Sequence, residues 1–497
     1  MKNNLKIILS SIGIAILVAL MGTAAYFTLE IEGEGKNNML RTFNKNMEIT
    51  YTETSNVTLE NAYTGDSVTK TFTVKNTGNT DVYYNVVLEN VVNNFAKPEE
   101  LTYIISEANN VAYGSGGVPT VDDTILADIK IKTGETHSYT LKIIFLSLDD
   151  VDQSYNMNKT FSGKINVVPS ENSSLLMNLK SNTLLYKIIN TESSLYEQTP
   201  GVVLGYDFSD SNSKIIRTAS STDSYMLRYT NQTPDKSRSY IYIGDNTINN
   251  NVLFGGYCWK IIRTTDNYAI KMIYNGVPTN GVCTNATGDD ATIGNSVFNT
   301  NANYNAYVGY MYGTPNSSTY AEEHKNINNS TIKTMLENWY ASNLLKYNDY
   351  IEDTNYCNDR SMIDVTIDNV VYSKNGYGNL NTGYHILNDN MKNYQCQNTN
   401  DKFSVQSKTN TYPVGLITLN EVLMGKTSTT NENISYWTMT PAYFNGTSAY
   451  NFLVSNGNEK TMTVNTTSGV RPVIALKPSV TVISGNGSLE SPYKITE

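Results

Sequence analysis

The sequence is poor in the residues that do most chemistry at reacting centres. It has three histidines in 497 residues, His137, His324 and His385. No two of them stand four apart, so the histidine pair of a zincin helix cannot form. Charged residues make up only 16% of the chain, and the net charge is −10. No block of either sign stands out, and the clustered Lys and Arg of a nucleic-acid surface are missing. There are four cysteines, Cys258, Cys283, Cys357 and Cys396, all in the C-terminal half. They lack the paired short spacings of a zinc site, and no EF-hand loop is present. The expectation is a chain with no catalytic residue, no cofactor, no metal and no nucleic-acid partner.

One long apolar run is present. Residues 7 to 27, IILSSIGIAILVALMGTAAYF, contain no charge. At about 1.5 Å per residue, ~21 residues span roughly 30 Å, the hydrocarbon thickness of a bilayer. Lys2 and Lys6 precede the run, and Glu30, Glu32 and Glu34 come after it. That asymmetry keeps the N-terminus in the cytoplasm and sends the rest across. Residues 1–29 are therefore read as a signal peptide or a signal-anchor helix. Gly22-Thr23-Ala24-Ala25 offers a signal-peptidase site; uncleaved, residues 7–27 remain in the membrane. Either way the remainder is extracytoplasmic, at the cell surface or secreted.

About 470 residues lie beyond the leader, enough for two or three domains. In an exported chain an even number of cysteines implies disulfides. Three pairings are possible. Cys258–Cys283 and Cys357–Cys396 are favoured because each closes a short local loop, and each would add about 3 to 4 kcal/mol in the chain-entropy description.

Residues 30–45 read as a polar spacer. From residue 46 the period becomes two. Val68, Phe72 and Val74 alternate with polar residues, as do Val82, Tyr84, Val86 and Leu88. Tyr139, Leu141, Ile143 and Phe145 repeat the pattern, and so do Phe161, Gly163, Ile165 and Val167. One apolar face at this period marks half-buried antiparallel strands. Turn signals separate them at Thr64-Gly65-Asp66, Asn76-Thr77-Gly78-Asn79 and Lys132-Thr133-Gly134-Glu135. Residues 46–169 are expected to form an all-β, Ig-like sandwich. His137 falls at the start of a strand and reads as a surface residue.

The leader end Gly22-Thr23-Ala24-Ala25-Tyr26-Phe27-Thr28, with TGDSVTKTFTVKNTGNTDVYYNVVLEN downstream, resembles the camelysin and TasA family of exported biofilm-matrix proteins. The resemblance covers roughly residues 20 to 168. It implies a matrix or fibre role, with self-association through the edge of the sandwich. Camelysin is described as a metalloprotease, but the histidine spacing gives no reason to carry that activity over.

Residues 170–204 read as a linker with a helix, in which Leu175, Leu176, Leu179, Leu184, Leu185, Ile188 and Ile189 fall at helical spacing. The stretch suits a spacer, a docking helix or a helix packed on the next domain. In the second domain, residues 240 to 243 and 252 to 274 read as a strand and a hairpin, which brings Cys283 back toward Cys258. A helix comes next, with Asn329 or Ser330 as its N-cap and Ile332, Met335, Leu336 and Trp339 on one face. Trp339 is either a ligand platform or, by this spacing, a core anchor. Thr418 and Glu421 form a capping-box pattern before a second helix that Gly425 stops. After it, short strands alternate with Asn445-Gly446, Asn456-Gly457 and Asn486-Gly487 turns.

Ser330-Thr-Ile-Lys, Trp339-Tyr340, Cys357-Asn-Asp-Arg-Ser361, Tyr412-Pro-Val-Gly-Leu-Ile-Thr418, Tyr436-Trp-Thr-Met-Thr-Pro441 and Gly469-Val-Arg-Pro472 occur in this order. In these motifs, residues 205–497 resemble a family of exported, mostly uncharacterised proteins of gut Firmicutes and Mollicutes. The resemblance implies an α+β domain of the C-type-lectin-like and formylglycine-generating-enzyme kind. That fold hosts binders and enzymes alike. No Glu-Pro-Asn or Gln-Pro-Asp tripeptide of calcium-binding lectins is present. A formylglycine-generating oxidase, the weaker alternative, needs a reactive cysteine pair, whereas these cysteines are expected to be paired locally.

The whole chain thus reads as an N-terminal membrane-spanning helix, an all-β Ig-like sandwich, and an α+β C-type-lectin-like domain with disulfides. Its function is expected to be non-enzymatic: an adhesin or ligand-binding module for an extracellular protein or glycan. The residues singled out for binding are Tyr436, Trp437, Tyr443, Asn445 and Arg471. Arg471, alone in the apolar stretch GVRPVIAL, must be paired or turned outward. Asp359 and Arg360 are either a site or a salt-bridged loop beside the cystine. If the leader exports the chain, thiol titration of the folded protein should find no free sulfhydryl, and a titratable pair would contradict at least one of the bridges.

Overall fold

The computed structural model describes residues 27–32, 38–41, 48–53, 57–59, 63–97, 100–107, 112–148, 152–156, 159–189, 225–229, 239–243, 249–265, 267–283, 288–360, 362–363, 365–367, 370–372, 380–381, 396, 398–425 and 433–495. The chain divides into two compact units, with the boundary after Met177. Both are mostly β-sheet with few helices. Among the described residues no helix is long and apolar enough to cross a membrane. The apolar leader lies outside the described residues except for Phe27, which opens a strand, Phe27–Glu32.

The first unit has two sheets. One runs Val57–Leu59, Phe27–Glu32, Lys159–Pro169, Val82–Asn93, Asp123–Ile131; the other runs Asn38–Arg41, Glu48–Glu53, Ser67–Asn76, Thr136–Phe145, Leu101–Glu107, Ala112–Gly117. Inward positions of both sheets share one core, where Val68, Phe72, Val74, Tyr84, Val86, Leu88, Leu141, Ile143, Ile165 and Val167 are buried. The alternation read from the sequence is the burial pattern of these strands, and cross-strand partners match, as with Phe72 opposite Tyr139 and Leu88 opposite Ile165. The segment taken as a spacer contributes strands instead. In FTLEIE, Phe27, Leu29 and Ile31 already alternate with polar residues, a period hidden by the apolar run before it. This strand pairs in parallel with Lys159–Pro169.

The stretch read as a linker is not one helix. Ser173–Met177 is helical, and residues 184–189 form a separate helical segment. Leu184, Leu185 and Ile188 of that segment are buried within the second unit, and the Leu184 N–H donates to the Val480 carbonyl.

The second unit is built on two larger sheets. In the first, Tyr257–Thr264 pairs with both Asn251–Phe254 and Ile270–Tyr274, and Ile270–Tyr274 pairs with Val473–Leu476. The strand Tyr493–Ile495 lies parallel to Asn251–Phe254 in the same sheet. The second sheet centres on Ser435–Phe444, Ala449–Ser455 and Asn458–Thr463. Both expected cystines are present, Cys258–Cys283 and Cys357–Cys396, with Cα separations of 5.6 and 5.7 Å. Near them Gly415 lies under the Tyr356 ring, and a Cβ there would come within 2.4 Å of it.

The helix Thr331–Asn343 is capped by Ser330, whose hydroxyl accepts from the Lys333 N–H. Its buried face differs from the apolar stripe read from the sequence. Ile332, Lys333, Leu336, Glu337 and Tyr340 are buried, while Met335 and Trp339 are half-exposed. Lys333 and Glu337 turn inward together because their 2.6 Å ion pair neutralises both, and Glu337 also accepts from the Thr411 N–H at 2.7 Å.

The helix Leu419–Gly425 carries the main polar junction of the unit. Its capping box is formed reciprocally: the Glu421 N–H donates to Thr418 Oγ1, and the Thr418 N–H donates to Glu421 Oε2. The same carboxylate accepts from Arg263 Nε at 2.9 Å and Lys271 Nζ at 2.7 Å. All three side chains are buried. Glu421→Gln would leave two buried cations against one neutral amide. It should lower unfolding free energy by about 3–5 kcal/mol in denaturant titration, whereas the exposed pair Lys325–Glu322 should cost under about 1 kcal/mol when broken.

Candidate functional site

The structure separates the five residues singled out for binding into two groups. Tyr436, Trp437 and Arg471 are at most 1% exposed and belong to the core. Trp437 packs edge-on against Phe298 at 5.8 Å, and its indole N–H donates to the Ser296 carbonyl. Arg471 donates from Nε to the Tyr274 carbonyl and from Nη2 to Asn275 Oδ1, and its guanidinium lies 4.8 Å from the Tyr436 ring. These partners hold the charge inside the fold, so these three residues offer no contact surface.

Tyr443 and Asn445 lie at the tip of the hairpin between Ser435–Phe444 and Ala449–Ser455, and both are half-buried. Tyr443 pairs across the hairpin with Tyr450, a residue outside the sequence motifs. The two rings stack at 4.5 Å and 17°, over a small apolar cluster of Leu419, Ala442 and Phe452. The Asn445 side-chain carbonyl closes the turn by accepting from the Thr447 and Ser448 N–H groups. Its amide nitrogen is 3.5 Å from the Tyr450 hydroxyl. The signal for Tyr450 was the Asn445-Gly446 turn itself, since a hairpin folded about it sets residues on its two arms opposite each other. Strand Leu380–Asn381 adds to the Tyr443 side of this rim, with Leu380 opposite Tyr443.

A second aromatic group surrounds Trp339. Its ring centroid is 5.4 Å from Tyr257, 5.8 Å from Tyr274 and 6.3 Å from Trp259. Trp259 and Tyr274 are buried beneath, while Tyr257 and Trp339 are half-exposed.

Arg360 is closed by its own partners. Arg360 uses every nitrogen of its guanidinium: Nε to Asp401, Nη1 to the Met311 and His324 carbonyls, and Nη2 to Asn326 and the Asn400 carbonyl. This is the salt-bridged loop beside the cystine. His324 stacks on Tyr320 at 4.0 Å, and neither ring nitrogen has a hydrogen-bond partner among the described residues. Burial, reinforced by the neighbouring Arg360 charge, pushes its pKa well below the ordinary histidine value. His137 is more than a surface residue: its Nδ1 lies 2.8 Å from the Tyr84 hydroxyl, and that hydroxyl lies 2.6 Å from the Tyr139 hydroxyl. His385 lies outside the described residues. Among the described residues no group of three or more His, Cys, Asp or Glu could hold a metal ion.

No family model matches the chain, and no curated protein matches it. A solved structure of AvmM, which catalyses macrocyclisation in alchivemycin A biosynthesis, is similar over 27% of this chain and 96% of its own, at 6% identity and a TM-score of 0.14. The sporulation control protein Spo0M from Bacillus subtilis is similar over 46% and 79%, at 8% identity and a TM-score of 0.12. Likenesses at these scores bear on neither fold nor function.

Two buried groups set opposite charge states and separate pH windows. His324 is neutral when folded, so the unfolded chain takes up the proton first as pH falls through 6.5. Burial alone would raise the Glu421 pKa, but Lys271 and Arg263 outweigh it and hold the carboxyl at about 2, below its ordinary 4.5. Stability should therefore decline in two stages, below 6.5 and again from 4.5 toward about 2. The slope should reach about 1.4 kcal/mol per pH unit for each proton. Urea titrations of His324→Phe should show the first stage flattened and the second kept.

Proposed function

We propose that this is a non-enzymatic, extracytoplasmic binding protein that presents a ligand-binding module of C-type-lectin-like kind on an Ig-like sandwich. The observation that carries the reading is the stacked Tyr443–Tyr450 pair beside Asn445, at the rim of a unit stapled by two cystines. Cystines of this kind persist in oxidising compartments, which supports export. Tyrosine supplies rigid contact area with little loss of side-chain entropy, and asparagine supplies adaptable hydrogen bonds. The ligand class is an extracellular protein or glycan, and the leader would tether the chain to the membrane if it is retained.

A matrix or fibre component is the second reading. It draws on the terminal strands of the two sheets in the first unit, Val57–Leu59, Asp123–Ile131, Asn38–Arg41 and Ala112–Gly117. Strand addition at such edges is a general route to assembly. An oxidase of the formylglycine-generating type gains nothing from the sulfurs, since all four are in cystines and Cys258 and Cys283 are buried.

The full chain should be retained on mucus-coated surfaces or on a glycan array. Tyr443→Ser combined with Tyr450→Ser should reduce that retention by about tenfold while both cystines and the thermal midpoint persist. Equal retention by the double variant would refute the rim as the contact surface. Concentration-dependent polymerisation in place of binding would favour the matrix reading.

A further inference from the structure

The chain has three tryptophans, and two are fully buried with their indole N–H groups satisfied: Trp259 donates to the Phe254 carbonyl and Trp437 to the Ser296 carbonyl, each at 3.0 Å. Trp339 differs in both respects. It is half-exposed, and its indole N–H makes no hydrogen bond among the described residues. A tryptophan that served only as a core anchor would bury its ring and find a partner for this donor.

The described residues around it hold it in place and leave it half-exposed. Tyr274 and Trp259 meet the ring edge-on from below, at interplanar angles of 84° and 64°. Tyr257 flanks it at 51°, and the Tyr257 hydroxyl donates to Asn343 Oδ1 at 2.7 Å. Asn343 in turn donates from Nδ2 to the Trp339 carbonyl, so the amide locks the tyrosine to the helix end. Val277 follows Gly276, whose carbonyl accepts from the Cys258 N–H next to Tyr257, and it is 64% exposed. Of the two charges that bear on Tyr274, Arg471 is buried and Asp290 is exposed. The result is a pre-set aromatic surface whose indole donor has no partner among the described residues.

The geometry points to a second binding site, in which Trp339 and Tyr257 receive the C–H face of a pyranose ring of a neutral oligosaccharide. The indole N–H of Trp339 would donate to a sugar hydroxyl. A saccharide fits because each ring carries an apolar C–H face and a rim of hydroxyls, matching aromatic faces edged by an N–H and an amide. A peptide added as a strand does not fit, since Tyr257–Thr264 is already paired with Asn251–Phe254 and Ile270–Tyr274 along this stretch. The ligand class rests on the binding function proposed for the chain, but the site is independent of the Tyr443–Tyr450 rim.

The test uses the full chain with both cystines intact, titrated with cellohexaose, chitohexaose, xylohexaose and mannohexaose. Intrinsic fluorescence is the readout; as the two other tryptophans are buried, a change on binding reports on Trp339. At least one hexasaccharide should shift the emission. Trp339→Ala should weaken that binding by about tenfold or more in calorimetry, and Trp339→Phe by less. Val121→Ser, an exposed position in the first unit, should leave it unchanged. Val277→Glu changes an exposed position with little risk to folding and should also weaken binding, so it decides the matter if Trp339→Ala does not fold. Binding that withstands both Trp339→Ala and Val277→Glu overturns the site. No response to any of the four sugars also overturns it. If retention on mucus proteins persists in that case, the binding reading stands and only the saccharide site falls; if that too is lost, both fall.

Discussion

The second unit depends on one carboxylate. Glu421 begins a short helix by capping it, and the same group neutralises Arg263 and Lys271 on neighbouring strands of the larger sheet. In a buried setting two cations without this anion would cost more than the local apolar packing returns. The three contacts therefore fix where the helix lies on the sheet. They also fix the position of the hairpin rim, because Leu419 sits in the apolar cluster under the Tyr443–Tyr450 pair. A charge interaction in the interior thus determines where an aromatic pair reaches the surface.

Three other buried cations are also held by partners in the interior. Arg360 is closed by Asp401 and backbone carbonyls, and Lys333 by Glu337. Arg471 is held by a carbonyl, an amide and the face of Tyr436. Charge serves to specify the interior. The half-exposed aromatic rims at Tyr443 and Trp339 offer rings, amides and an indole N–H instead. Such surfaces suit recognition by shape, stacking and neutral hydrogen bonds.

The strands of the first unit were legible because period-two alternation there coincides with burial, from Phe161 to Val167 and, apart from the buried Lys70, from Val68 to Val74. The cystine pairing was legible because short loops close locally, and the capping box of Thr418 and Glu421 because its spacing is local too. The binding residues were less legible. Tyr436, Trp437 and Arg471 lie in a motif-dense stretch, yet Tyr257–Thr264 and Ser435–Phe444 are buried on both faces along most of their length. Such strands have no alternation to show which side chains point outward. The helix face at Trp339 departs from its apolar stripe for a related reason: apolar spacing cannot reveal that Lys333 and Glu337 go inward as a pair. Both departures trace to long-range partners that no local window contains.

The Cys357–Cys396 bridge spans a sequence separation of 39, and the strand pair of Tyr356–Cys357 with Lys402–Phe403 and the Arg360–Asp401 contact join the same two ends. Three ties at one base hold these two ends together whatever the length of the stretch between them. Doubling such an interval would add only about 0.6 kcal/mol of closure entropy. Evolution could therefore lengthen or shorten the stretch between the strands Met362–Ile363 and Leu380–Asn381 while those two ends stay joined.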